Sequence, residues 1–251
     1  ALLGHFFPRK DVVGHYSQAN KWSLMGTTML TGMISNVVQP VLVTITEDAD
    51  RQVRVFRKML RFTSFLAFPA LWGLGVIAPE FIPLAIGEKW MPCVPLLQIL
   101  CFAAPFLPLG QLFAQMLISK GKSTRYLGIT STFLLLQLSV VVMLHPYGVA
   151  RMLYAVAALN ITWLLVWWSG VRGLIRLPLT KVLLDVFPFF GLSLVTTLSA
   201  HFIGNLVPDM LLRLVVKIVV AGAHYWLWMH LLKPVVYQEC LAFLLKKITK
   251  K

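Results

Sequence analysis

The stretch TRYLGITSTFLLLQLSVVVML, residues 124–144, decides the fold class, and Arg125 is its only charged residue. A helix needs about 20 mostly apolar residues to cross the hydrocarbon core of a bilayer. This stretch meets that requirement, and short turns flank it at residues 120–122 and 145–148. Residues 124–144 therefore predict a transmembrane helix.

Apolar runs of the same kind recur along the chain. Hydrophobic residues make up 58% of the 251 residues, charged residues make up only 13%, and the mean hydropathy is +0.78. Because backbone groups in lipid must be satisfied internally, such long runs favour helices over the strands of a barrel. The composition predicts an all-α, polytopic membrane helix bundle. We expect about seven complete transmembrane helices, an N-terminal helix stub and a C-terminal interfacial helix.

Prolines and charged turns set the expected limits of the helices. We expect Pro79 and Pro83 to break the second span, and Pro105 and Pro108 to kink the third. The chain begins with Ala1, and residues 1–8 look like the end of a helix that starts earlier, so we expect a fragment of a longer protein. The predicted spans are 14–44, 47–78, 92–119, 124–144, 149–171, 181–203 and 208–232.

The basic residues indicate the topology. The formal net charge is +14, and most lysines and arginines lie between the apolar runs or near the C-terminus. The loops on one side hold sixteen of them and those on the other side hold four. Cytoplasmic loops carry an excess of Lys and Arg, so this bias predicts a cytoplasmic C-terminus. The basic residues suit lipid headgroups, and we expect no nucleic-acid partner.

Polar residues follow one side of the first predicted span. Thr27, Thr31, Ser35 and Gln39 are each four residues apart, and Asn20 and Lys21 precede them. Residues spaced by four lie on the same face of a helix. A polar stripe with one ammonium group is typical of the wall of a water-filled cavity. Small hydroxyl residues also permit close helix packing, and that alternative stays open.

Other polar residues lie within the later spans. Each amide among them has the chemistry to bind sugar hydroxyls, but each also suits a hydrogen bond to a neighbouring helix, which we favour for any single one. They are Gln98, Gln111, Gln115, Gln137 and Asn160.

Charged residues within the spans have simple local interpretations. Asp209 precedes Arg213 by four residues, so an ion pair is available there. We expect Arg213 and Lys217 to extend to the headgroups. Lys181 precedes Asp185 by four residues and offers it a partner.

Catalytic signatures are missing from this sequence. The nine acidic residues form no pair or triad within the spans, and the six histidines are scattered without an HExxH motif. We therefore expect no enzymatic activity, no catalytic residues, no metal site and no bound cofactor. The three cysteines have no metal-type spacing and are expected to be free thiols.

Several local motifs together resemble one transporter family. Residues 14–19, GHYSQA, are similar to the Gly-x-Tyr-x-x-Ala that opens a helix in the C-terminal half of polysaccharide flippases. Three further features follow in the order that is found in that family. They are Pro40 before a charged break, Pro69 in the next span, and the loop GEKW at 87–90 followed by PLLQIL at 95–100. These flippases belong to the multidrug/oligosaccharidyl-lipid/polysaccharide exporter superfamily. The turn at 120–122 departs from the more usual Ala-x-Gly-Arg, and the resemblance extends over residues 1–175.

The resemblance implies a domain organisation. Residues 1–175 would form the C-terminal lobe, with the helix stub and five spans. Residues 176–232 would add two transmembrane helices, and residues 233–251 would form a basic amphipathic cytoplasmic tail. The partner of this lobe would be an N-terminal lobe of the same protein.

The resemblance also implies a function. The protein would move an undecaprenyl-pyrophosphate-linked oligosaccharide, such as an O-antigen, capsule or exopolysaccharide unit, from the cytoplasmic to the periplasmic leaflet by alternating access. It would lie in the bacterial inner membrane, with the lipid bilayer and the lipid-linked oligosaccharide as partners, and H+ or Na+ as a possible coupling ion. The residues that we expect to line the substrate cavity are Tyr16, Asn20, Lys21, Thr27, Thr31, Ser35, Gln39, Gln111 and Gln115.

Two other functions fit the same class of sequence. A multidrug or cation exporter of the superfamily would more often carry a carboxylate in its cavity, whereas the first span carries Lys21 and no acid. A membrane enzyme of polysaccharide assembly would need a large periplasmic loop or a cluster of carboxylates. The sequence favours the flippase over both.

Overall fold

A computed structural model describes residues 10–44, 49–239 and 241, with side chains from residue 11 to 32 and from residue 50 onward. This part of the chain is helical and contains no strand. The α-helices in chain order are α1 (Lys10–Thr44), α2 (Ala49–Ile86), α3 (Val94–Ala103), α4 (Phe106–Ser119), α5 (Ser123–Leu144), α6 (Val149–Ile175), α7 (Leu179–Gly204) and α8 (Met210–Leu232). Two 3-10 turns, Glu88–Cys93 and His145–Tyr147, precede α3 and α6.

Six helical segments in the described part are long and apolar enough to cross a membrane. The predicted polytopic helix bundle is therefore confirmed. The first predicted span, α1, has 35 residues and is long enough to cross, but it is more polar than the six. The six segments are Asp50–Ile86, Glu88–Ser119, Ser123–Tyr147, Val149–Ile175, Leu179–Gly204 and Met210–Leu232.

Helix α2 lies at the centre of the bundle. It packs against α1, α3, α4, α7 and α8, whereas α5 contributes no buried residue and lies at the periphery. Phe56, Leu60 and Phe68 of α2 are fully buried. They form one core cluster with residues of α4 and α7, which include Leu112, Phe113, Met116, Val182, Val186 and Phe189.

The predicted break of the second span at Pro79 and Pro83 is wrong, because α2 continues through both prolines and through Pro69 to Ile86. A proline has no N–H, so the carbonyl four residues earlier loses its helical donor. Side chains of other helices supply two of these donors.

The two replacement donors come from α8 and α3. The Tyr225 hydroxyl donates to the Phe65 carbonyl at 2.8 Å, opposite Pro69, and Gln98 Nε2 donates to the Gly75 carbonyl at 3.2 Å, opposite Pro79. Tertiary hydrogen bonds thus satisfy the carbonyls that the prolines leave free, and the helix continues. The bond from Gln98 also agrees with the helix–helix role that we favoured for that residue.

The third predicted span is divided at Ala104 and Pro105 into α3 and α4, where we expected a kink. Trp72 of α2 stacks on Phe102 beside this division, with ring centroids 5.6 Å apart and planes 4° apart. Trp72 Nε1 also donates to the Phe102 carbonyl at 3.0 Å. The indole therefore fixes the end of α3 against α2.

The sequence suggested an ion pair between Asp185 and Lys181, but the two residues do not form one. Asp185 is buried and faces α2, whereas Lys181 on the same helix is exposed. Arg57 binds the carboxylate through Nε at 2.6 Å and Nη2 at 2.9 Å, and Arg61 Nε lies 2.9 Å from Oδ1. The planar guanidinium matches a carboxylate with two bonds, which an ammonium cannot do. These contacts join α7 to α2.

The prediction that Lys217 extends to the headgroups is also wrong. Its side chain is 1% exposed, and Nζ lies 2.7 Å from Glu80 Oε1 and 3.3 Å from the Val76 carbonyl. Gly204 of α7 permits this path, because a Cβ at that position would overlap the Lys217 stem. A buried ammonium requires such a partner, since an isolated charge in this setting costs several kcal/mol (about 3–5).

Asp209 and Arg213 do not form the predicted pair either. The Asp209 carboxylate caps α8 by accepting from the Leu212 N–H at 2.8 Å. This bond satisfies one of the N–H groups that lack a partner at the start of a helix. Arg213 donates instead to the carbonyls of Val207 and Pro208, at 2.8 and 2.9 Å.

The predicted stub at 1–8 and residues 242–251 of the predicted tail lie outside the described residues, and residues 235–239 are helical. Cys93 and Cys101 are free and buried, and Cys240 is not among the described residues. Helix α6 ends at Ile175, but the division of the chain at residues 175 and 232 stays a prediction.

Candidate functional site

A cavity of about 490 Å³ lies between α1, α3, α5 and α6. One wall is the face of α1 that looks into the bundle, and the opposite wall comes from α5 and α6. Leu100, Ala103 and Leu107 close one side with apolar groups. The polar side chains of the lining are Tyr16, Asn20, Ser23, Thr27, Gln137 and Asn160.

The helical repeat explains why α1 supplies four of these polar groups. Positions 16, 20, 23 and 27 follow one another by three or four residues, so they share one face of the helix. Ala19 and Thr27 are buried, and Tyr16 and Asn20 are half-buried. The sequence therefore builds a polar strip on α1 and turns it toward α5 and α6.

The cavity is polar without being charged. None of the described residues that line it is Asp, Glu, Lys, Arg or His. Its polar groups are two carboxamides from Asn, one from Gln, and the hydroxyls of Ser, Thr and Tyr. Carboxamides and hydroxyls donate and accept hydrogen bonds. Such a lining suits a neutral ligand that carries both kinds of group.

Local hydrogen bonds occupy some of these groups. Thr27 Oγ1 donates to the Ser23 carbonyl at 2.8 Å, and Asn160 Nδ2 donates to the Val156 carbonyl at 2.8 Å. The bond of Asn160 leaves its oxygen and a second N–H available. Within the described part of the chain, the amides of Asn20 and Gln137 make no hydrogen bond. Those two amides are available to a ligand.

The structure places Tyr16, Asn20 and Thr27 of the predicted site in this cavity and places Lys21 elsewhere. Lys21 follows Asn20, so its side chain leaves α1 about 100° further round the helix. It is exposed, as are Ser17 and Thr28 on the same face. Helix α1 thus presents an uncharged polar face to the cavity and a second, cationic face outside it.

The other predicted residues are not among the described residues that line this cavity. Thr31 is half-buried, and its hydroxyl donates to the Thr28 carbonyl at 3.2 Å. The side chains of Ser35 and Gln39 lie outside the described ones. Gln111 and Gln115 belong to α4, which packs against α1, and neither lines the cavity. The role of these residues in substrate binding stays a prediction.

Three polar lining residues were not among the predicted site residues. Gln137 and Asn160 were noted as polar residues within spans, but a bond to a neighbouring helix was favoured for each. Ser23 was missed, although it lies three residues after Asn20 and four before Thr27 and so continues the polar stripe. That spacing is the signal that identifies it.

A second cavity, of about 600 Å³, lies between α2, α7 and α8. Its lining is mostly apolar and includes Ala70, Leu74 and Ile218. Lys217 is its charged residue within the described chain, and that ammonium is already bound to Glu80. This cavity offers few polar groups to a sugar, so we place the candidate site in the first one.

Sequence comparison links the first part of the chain to polysaccharide biosynthesis. Residues 1–95 match a family model described as polysaccharide biosynthesis protein. An uncharacterized membrane protein in the cps region of Klebsiella pneumoniae is 34% identical over 110 residues, which are 44% of this chain and 23% of that protein. The lipopolysaccharide biosynthesis protein WzxC of Escherichia coli K12 is 32% identical over 111 residues, again 44% of this chain and 23% of that protein.

Structural comparison extends the likeness along the chain. The lipid II flippase MurJ, in an inward closed conformation, matches with a TM-score of 0.67 over 89% of this chain and 48% of its own length, at 16% identity. At that identity the match shows a shared fold. The chain spans about half the length of that structure, and its alignments span about a quarter of the two sequence relatives. These comparisons confirm the resemblance to the polysaccharide and lipid-linked flippases.

Proposed function

We propose that this chain forms part of a transporter that moves a lipid-linked oligosaccharide across the bacterial inner membrane. The observation that carries the proposal is the uncharged cavity lined by the amides and hydroxyls of α1, α5 and α6. It lies in a bundle with the fold of a lipid II flippase. Relatives named for lipopolysaccharide biosynthesis and for the cps region support the same class of cargo.

The transported molecule would be an undecaprenyl-pyrophosphate-linked oligosaccharide that travels from the cytoplasmic to the periplasmic leaflet. The expected mechanism is alternating access, in which two lobes rock about a central binding region. The described bundle would supply one lobe. The C-terminus would lie in the cytoplasm, and H+ or Na+ remains the proposed coupling ion.

Lys21 would contribute to this region from the exposed face of α1. An ammonium group on a transmembrane helix needs water, a partner or an anion. The same face carries the exposed hydroxyl residues Ser17 and Thr28 beside the exposed Leu24 and Met25, so Lys21 lies on a surface of mixed polarity. We therefore assign Lys21 to attraction of the pyrophosphate and the cavity to the glycan.

The chemistry of the cavity favours this cargo over a cationic drug. An exporter of cations would benefit from a carboxylate beside its ligand, because an unpaired charge is costly away from water. The described lining supplies only neutral polar groups. An enzymatic role in polysaccharide assembly has no supporting constellation of residues among those that line the cavity.

The test is complementation with the full-length protein in its own bacterium after deletion of the gene. The wild-type gene should restore surface polysaccharide and remove the accumulated lipid-linked precursor, whereas the 251-residue chain alone should not, because alternating access needs two lobes. The Arg151→Ala variant of the full-length protein removes an exposed cation that does not line the cavity, and it should restore surface polysaccharide as the wild type does. Efflux of a cationic dye without any change in the glycan would contradict the proposal and favour the multidrug exporter.

A further inference from the structure

We propose that the cavity between α1, α5 and α6 binds an uncharged sugar unit of the cargo, and that the pyrophosphate binds outside it on the Lys21 face of α1. This inference rests on the proposed function and divides the substrate between two faces of one helix. The neutral subsite is defined by Asn20, Gln137 and Asn160, with the rings of Tyr16 and Phe133 beside them.

The first argument is the balance of donors and acceptors. A sugar hydroxyl donates one hydrogen bond and accepts others, so its site needs groups of both kinds. Each carboxamide provides an acceptor oxygen and two N–H donors. Asn20 and Gln137 come from opposite walls and make no hydrogen bond within the described residues. They can bind hydroxyls of a ring placed between them.

The second argument is the absence of charge from the described lining. A phosphate or a uronate carboxylate would be costly to desolvate here, because the described lining offers no cation to pair with it. A metal cation would lack the carboxylates that hard cations usually receive. Neutral hydroxyl and N-acetyl groups face no such cost.

The third argument is shape. The cavity of about 490 Å³ falls within the range of about 300–1,000 Å³ that is usual for small-molecule sites. Tyr16 and Phe133 place aromatic rings beside the amides. A sugar ring has apolar C–H faces as well as polar edges, so a lining of aromatic and amide groups matches both. The space suits a small part of the glycan and not a whole polymer.

The fourth argument is the angular separation on α1. Asn20 points into the cavity, whereas Lys21 leaves the helix about 100° away and is exposed. A single helix therefore places a neutral subsite and a cation at the same depth on neighbouring faces. The junction between sugar and pyrophosphate would lie across this edge of α1.

The test uses the purified full-length protein in lipid nanodiscs and two probes. One probe is undecaprenyl pyrophosphate, which has the charge and no sugar. The other is the lipid-linked oligosaccharide extracted from the gene-deletion strain. Dissociation constants for both probes are measured with the wild type, with the double variant Asn20→Leu and Gln137→Leu, and with Lys21→Ala. The control is Gln18→Leu, which changes an α1 amide that does not line the cavity.

The double variant should bind the oligosaccharide-bearing lipid about tenfold more weakly, since it loses two neutral hydrogen bonds to the sugar. Its affinity for undecaprenyl pyrophosphate should change less than about twofold, and Lys21→Ala should weaken both probes. Melting temperatures of the variants should match the wild type, which shows that they fold.

Equal weakening of both probes by the double variant, or no weakening at all, would overturn the inference and make the cavity a packing gap. A double variant that melts well below the wild type is replaced by Asn20→Ser with Gln137→Ser, which should give the same selective loss. Failure of the wild-type protein to bind either lipid would refute the proposed function instead, so the two failures are distinguishable.

Discussion

Replacing Lys217 by methionine in the full-length protein should destabilise it strongly. The substitution removes the partner of Glu80 at 2.7 Å and a donor to the Val76 carbonyl at 3.3 Å, while a similar volume fills the space beside Gly204. Glu80 is 3% exposed, so its carboxylate would remain buried with a weaker partner. Removal of one member of a buried ion pair costs about 3–5 kcal/mol.

Arg213 limits this loss. Its Nη1 lies 3.9 Å from Glu80 Oε1, and its side chain is 31% exposed, so water screens part of the attraction. We therefore expect the lower end of the range, about 3 kcal/mol. For a chain of this size, 1 kcal/mol corresponds to about 2–4 °C in the melting temperature, so the midpoint should fall by about 6–12 °C.

The assay is thermal unfolding of wild type and variants in one detergent at one scan rate. The double variant Glu80→Gln with Lys217→Met should recover much of the loss, because replacing both charges leaves no unpaired buried ion. A control, Lys181→Met, removes an exposed lysine of α7 and should leave the midpoint unchanged within about 1 °C. A Lys217→Met midpoint within about 2 °C of wild type, which corresponds to about 0.5–1 kcal/mol, would refute the buried-pair argument and return Lys217 to the headgroups.

Three further predictions follow from the topology, from the exposed face of α1 and from α8. Lys21→Ala should reduce surface glycan at a normal protein level, whereas Lys21→Arg should retain much of it, because the pyrophosphate needs the positive charge. Full export by the Lys21→Ala variant would remove this residue from the substrate path. In a cysteine-free background, an impermeant thiol reagent added to intact cells should label a cysteine at Lys89 and miss one at Lys122, and the reverse pattern would refute the orientation. Tyr225→Phe removes the donor to the Phe65 carbonyl and should lower the melting midpoint by about 2–4 °C, for a loss of about 1 kcal/mol; an unchanged midpoint would mean that this bond adds no stability.

The sequence predicts the helices well because apolar runs and turn residues are local signals. Residues 124–144 indicate a span from composition alone, and the structure places α5 at Ser123–Leu144. The face of α1 is also predictable in part, since Asn20 and Thr27 follow from helical spacing. The contribution of α5 and α6 to the same cavity is not, because no local pattern shows which helices become neighbours.

Three of the incorrect expectations share one physical cause. Asp185 and Lys217 each have a plausible interaction close in sequence, but their actual partners are 128 and 137 residues away. The second span continues past Pro79 because Gln98, from another helix, supplies a donor. Local rules describe what a residue does in an isolated helix, whereas burial in a bundle selects the strongest partner that packing brings within reach.

The prolines of α2 have a consequence for how this protein can change over evolution or in engineering. Pro69 leaves the Phe65 carbonyl without its helical donor, and Tyr225 of α8 uses that acceptor. Pro69→Ala would restore a donor within α2 and make the tyrosine hydroxyl redundant. Proline and tyrosine therefore form a pair in which neither residue is optimal without the other. A graft of the α7–α8 hairpin onto a related lobe would have to transfer Pro69 together with the hairpin to keep this attachment.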